Sequence, residues 1–220
     1  MAQQARAVHT RQQILNAAAQ VFAKRGYAAA TMAEILTVAG LTKGAVYFHF
    51  ASKEELALAV TEAQSPWLEE LDLASGSFQS VIDLTIAYAR ALQNDPIIRA
   101  TVRLVIEHGA FDKPQIEAWE VNINLVRDLL LAAREDLLPG VDIAVAAPTI
   151  TSSFTGIQLT SQVLTGRADL LERVAGWWAL LVPGLVKPEL VRSLELGGSA
   201  RTTAHLTPER IARASVRRRA

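Results

Sequence analysis

The run Thr42-Lys43-Gly44-Ala45-Val46-Tyr47-Phe48-His49 holds side chains whose types and spacing suit contact with a nucleic acid. Lys43 offers an ammonium that can donate to guanine O6 and N7, and Tyr47 a phenol that can meet a phosphate or a thymine methyl. Gly44 has no side chain, so a duplex backbone can come close there. His49 and Lys53 follow at the entry of the next segment, where a cationic or hydrogen-bonding group and free N–H donors suit phosphate. Thr31, ahead of the run, can serve phosphate in the same way. On a helix starting near residue 42, steps of 100° place Leu41, Ala45 and Phe48 together toward a core. Thr42, Lys43 and Tyr47 then share the opposite face, with Val46 on its margin.

Several short elements must position this face. Apolar residues recurring at three and four predict a first helix from about Thr10 to Arg25, carrying Ile14, Ala18, Val21 and Phe22 and stopped by Gly26. Thr31 and Glu34 form a T-x-x-E capping box for a very short helix with Ile35 and Leu36, which Ala39-Gly40-Leu41 breaks. Thr42 opens a second short helix over about 42–48, and Ser52 with Glu55 caps a longer one through Leu56 and Val60. Helix, three-residue turn with glycine, helix is the helix-turn-helix pattern. Beyond Pro66 the helical segments lengthen to Ser77–Asn94, Asp95–His108, Pro114–Asp136, Asp142–Thr165 and Ala168–Leu181. Strand signals are nearly absent, so the expected class is all-α: an N-terminal three-helix helix-turn-helix domain and a larger C-terminal helical domain.

The chain has 220 residues and a formal net charge of zero, with 22 Lys and Arg against 22 Asp and Glu. That balance conceals unlike parts. Residues 1–53 hold six basic residues against Glu34 alone, residues 201–220 hold six Arg against Glu209, and the middle holds ten basic residues against twenty acids. A basic module that meets a polyanion, joined to an acidic body that does not, is the expectation. The predicted division is a reading head at 1–53, a body at 54–196 and a mobile basic tail at 197–220.

Other chemistries find little support. There is no cysteine, which removes disulfides and thiolate sites and fits a reducing compartment. The four histidines stand apart at 9, 49, 108 and 205 without ligand spacing, so no metal site is expected. No secretory h-region is seen, and the longest strongly apolar run, Val174 to Val186, is 13 residues and contains Pro183 and Gly184, too short for a bilayer. No phosphate-cradling or nucleophile-elbow motif occurs, and Glu107, His108 and Asp112 are scattered, so no catalytic residue and no cofactor are expected.

The stretch Gly26-Tyr27, Thr31, Ile35, then Ala39 through Phe50, then Ser52-Lys53-Glu54-Glu55-Leu56 resembles the DNA-binding domain of TetR-family transcriptional repressors, over about residues 8–60. The wording Lys-Gly-Ala-x-Tyr-Phe-His-Phe, with Arg6-Ala7, Gln64 and Trp119, is similar to the γ-butyrolactone autoregulator receptors of Streptomyces-type actinomycetes. The resemblance implies a cytoplasmic, nucleoid-associated homodimer that binds a double-stranded DNA operator and represses antibiotic-production genes. A small signalling lactone or butenolide would release it. It also implies that Trp119 covers the ligand and that Gln64 couples the pocket to the reading head. A pseudo-receptor answering an antibiotic, or no ligand, remains the alternative.

Phe154, Thr155 and Gln158 lie on a helix rich in hydroxyls (Thr149, Thr151, Ser152, Ser153, Thr160), and such groups need a ligand, water or backbone as partner. They complete the candidate pocket. Trp177 and Trp178 point about 100° apart on their helix, so one can enter a core while the other meets a partner subunit. A purely intramolecular core for both is the competing explanation.

Overall fold

The computed structural model describes residues 2–63, 71, 73, 76–107 and 116–200. Its helices are α1 (Ala2–Ala29), α2 (Met32–Ala39), α3 (Lys43–His49), α4 (Lys53–Glu62), α5 (Gln79–Asn94), α6 (Pro96–Ile106), α7 (Ile116–Ala132), α8 (Ile143–Thr165), α9 (Leu170–Leu181) and α10 (Pro188–Val191). Among the described residues there is no strand, only an isolated antiparallel bridge between Leu137 and Val186. The protein is all-α, as the periodicity predicts. No helix among the described residues is long and apolar enough to cross a membrane.

The helices sort into two units, α1–α4 with α6 and α5 with α7–α10. The boundary expected between residues 53 and 54 therefore moves. On α4, Leu56, Ala57, Ala59 and Val60 enter the same core as Ile14, Phe22, Ile35, Val46 and Phe50, and α6 adds Ala100 and Leu104 to it. Burial of each large apolar side chain is worth about 1.5–3 kcal/mol, which commits α4 and α6 to the head. Patterning shows that a helix has an apolar face; it does not show which core receives that face.

Local signals in the head perform as their chemistry requires. Thr31, Thr42 and Ser52 cap α2, α3 and α4 by accepting the N–H groups of Glu34 (3.2 Å), Ala45 (3.3 Å) and Glu55 (3.0 Å). The carboxylate of Glu34 turns away to Arg25, 3.1 Å distant. Gly40, at φ 64°, adopts the left-handed conformation that ends α2. Residues 40–42 then make the turn into α3. Within α1 the backbone breaks at Gly26, with φ 75° and ψ 176°, one residue after the expected end of the first helix.

In the second unit α5 is buried on nearly every side, from Ser80 through Ala87. Trp178 of α9 is fully buried; its indole N–H donates to Thr85 Oγ1 at 2.8 Å and its ring meets Phe78 edge to face at 5.7 Å. The buried carboxylate of Asp83 accepts hydrogen bonds from Gln79 Nε2 (2.9 Å), Ser199 N (2.7 Å) and Ser199 Oγ (2.7 Å). This corrects the tail expected from residue 197: residues 197–200 are tied to α5, because a buried carboxylate needs the donors they supply. Residues 201–220 lie outside the described residues.

Candidate functional site

The rotation of α3 decides which side chains it presents. Val46 and Phe50 are buried in the head core, and the guanidinium of Arg11 covers the Phe50 ring at 5.0 Å. Thr42, Lys43, Gly44, Tyr47 and Phe48 are all exposed. Lys43 Nζ stands 5.6 Å from the Tyr47 ring centroid, so cation and phenol form one patch. A β-carbon on Gly44 would meet nothing within 4 Å, which leaves the surface open. Thr31 is exposed at the α2 cap, and His49 is half-buried against Phe48, with rings 5.2 Å apart at 85°.

Two expectations for the reading head are corrected. Phe48 was assigned to the core and Val46 to the margin; instead Phe48 is 82% exposed and Val46 is 0% exposed. The apolar stripe was counted from Leu41, which precedes the Thr42 cap and lies outside the helical period. Packing selects the face: Val46 and, at the C-cap, Phe50 enter the head core. Lys53 is the second correction. Its ammonium donates to the carbonyls of Tyr27 (2.9 Å) and Ala30 (3.0 Å) and lies 4.4 Å over the Tyr27 ring. It closes the end of α1, where unpaired carbonyls attract a cation, rather than projecting to phosphate.

Sequence patterning also missed a polar latch behind the reading surface. Glu107, just past α6, accepts the Tyr27 N–H at 2.9 Å and the Arg103 Nε at 2.6 Å, while Arg103 Nη1 donates to the Ala23 carbonyl at 3.0 Å. The i, i+4 spacing of Arg103 and Glu107 was visible as a helical ion pair. Its attachment to the Gly26 break was not.

In the second unit, Trp119 is half-buried on α7, in helical register with Ile123, Val126 and Leu130 on its inward stripe. Phe154 meets Tyr88 edge to face at 5.9 Å. Thr151, Thr155 and Thr160 each donate to the carbonyl four residues earlier in α8, so backbone supplies their partners. Gln158 is buried; its Oε1 accepts from Arg167 Nη2 at 3.0 Å, and its Nε2 has no hydrogen-bond partner among the described residues. Gln64 lies outside the described residues. Trp177 is half-buried beside the fully buried Trp178, the division that their 100° offset predicts. Leu180, Val163 and Leu164 are exposed at 86%, 82% and 64% on α9 and α8. Among the described residues no group of His, Cys, Asp and Glu could hold a metal ion.

A capped helix-turn-helix with an exposed Lys-Tyr patch defines a DNA-binding regulator. Residues 14–60 match the model of the bacterial regulatory proteins of the tetR family, and residues 75–187 match the tetracyclin repressor-like C-terminal domain. The chain belongs to the TetR family of transcriptional regulators. It is 38% identical over 211 residues to the A-factor receptor protein of Streptomyces griseus, covering 95% of this chain and 71% of that one. Among solved structures it is similar to a gamma-butyrolactone receptor described as ArpA-like (30% identity, TM-score 0.71, 96% of this chain and 98% of that one). It is also similar to CprB of Streptomyces coelicolor in complex with its biological operator (30% identity, TM-score 0.73, 96% and 98% covered).

Proposed function

We propose that this TetR-type repressor binds a palindromic operator as a homodimer and is released by a small signalling lactone of the γ-butyrolactone or butenolide type, controlling antibiotic-production genes. The observation that carries the effector class is the likeness to a gamma-butyrolactone receptor, which covers 96% of this chain and so the second unit as well as the head. The side chains present suit such a ligand. Trp119 offers a flat apolar face and one N–H, and the unpartnered Nε2 of the buried Gln158 is a donor that a ligand carbonyl would satisfy.

The geometry of DNA supports a homodimer, since two reading helices about 34 Å apart would meet successive major grooves of one face. Exposed Leu180, Val163 and Leu164, with half-buried Trp177, supply apolar surface for the partner. Ligand acts only through its different affinity for two states, and a shift from 1:99 to 99:1 takes about 5.5 kcal/mol. Besides the coupling through Gln64 that the resemblance implies, α6 offers a route to the head, since the chain enters it from α5 and leaves it toward α7.

The test is a gel-shift titration of the protein–operator complex with synthetic γ-butyrolactones and butenolides. Release of the wild type with retention by Trp119→Ala, which still binds operator, is the expected result. Release by none of these compounds, but by an extract containing antibiotic intermediates, would assign the pseudo-receptor role.

A further inference from the structure

The exposed phenyl ring of Phe48 has no task in the fold. Val46 and Phe50 fix the rotation of α3, and at 100° per residue Phe48 points about 200° from Val46. Gly44, one turn earlier on the same outward side, leaves open space beside it. Its ring is steadied by the edge of the His49 imidazole at 5.2 Å and is otherwise 82% exposed. Tyr47, the preceding residue, is exposed as well and carries the Lys43 ammonium 5.6 Å from its ring.

We propose that Phe48 is a specificity-determining residue that contacts a thymine methyl group in the major groove. A phenyl ring cannot donate or accept a hydrogen bond, so it is blind to the donor–acceptor pattern of the bases. The apolar feature of the major groove is the thymine C5-methyl. A nucleic acid is the fitting occupant, because the patch shares its helix with Lys43 on a segment of six basic residues and one acid. Phe48 would thus specify one T·A pair in each half-site.

The experiment uses the full chain and a duplex that the wild type selects from a randomised library. Each dT is replaced singly by dU, which removes only the methyl. For the wild type, one position per half-site should weaken binding about four-fold, the worth of one buried methyl group. Phe48→Ala should bind the parent duplex roughly ten-fold more weakly and be indifferent to dU at that position. Phe48→Leu, which keeps an apolar contact, should retain part of the discrimination. Both variants should melt near the wild-type temperature. The proposal is overturned if no dU position matters, or if Phe48→Ala and wild type respond to dU alike. A wild type that selects no discrete sequence would overturn the groove placement of α3 and this assignment with it.

Discussion

The carboxylate of Glu107 occupies the space that a β-carbon on Gly26 would need, and it accepts the N–H of the next residue, Tyr27, at 2.9 Å. Glycine is required twice over, because φ at this position is 75°. Gly26→Ala should therefore destabilise the head by more than the roughly 1–3 kcal/mol that this glycine-only backbone conformation costs by itself. Glu107→Ala, which leaves the Tyr27 N–H unpaired, should cost about 1–3 kcal/mol. Denaturant melts of the two variants test this. Wild-type stability in Gly26→Ala would show that Glu107 moves aside at no cost.

Two lysines near the reading surface should behave differently. Lys43→Ala should lose roughly 1–3 kcal/mol of operator affinity and relax one base preference while melting normally. Lys53→Ala should lower the melting temperature, since its amine holds the Tyr27 and Ala30 carbonyls, and should leave the slope of log affinity against log salt nearly unchanged. A slope shallower by about one charge in Lys53→Ala would return it to a phosphate contact.

The buried face of α9 and the exposed apolar surface of α9 and α8 should have separate roles, the second in the proposed dimer. Trp178→Ala should cost about 3–5 kcal/mol, because a fully buried indole and its bond to Thr85 are lost together. Leu180→Lys combined with Val163→Lys should keep the helical circular dichroism and convert dimer to monomer in sedimentation equilibrium. An unchanged mass would remove that surface from the dimer interface.

Asp169 is held below the usual carboxylate range, at about 2, first by the hydrogen bond from Ser161 (2.6 Å), then by Thr165 (2.8 Å), with Arg173 (2.7 Å) adding to both. A depressed pKa contributes stability above the unfolded value of about 3.9, and that contribution disappears as pH falls through about 2. Between pH 4 and pH 2 the urea midpoint of the wild type should fall more steeply than that of Asp169→Asn. Parallel curves would mean that the donors contribute nothing through charge.

Much of this protein is local and was readable from its residues. The caps at Thr31, Thr42 and Ser52, the left-handed stops at Gly40 and Gly166, and Pro96 opening α6 act within a few residues, so sequence determines them without knowledge of the fold. Charge partition and helix-turn spacing likewise located the reading head. Tertiary structure decided what depends on partners distant in the chain. It turned α3 by seating Val46 instead of Phe48, drew α4 and α6 into the head, assigned Lys53 to the end of α1, and anchored Ser199 to Asp83. The physical reason is shared: a helical period offers several near-equivalent faces and a long polar side chain several partners, and only the packed core and its buried unpaired groups choose among them.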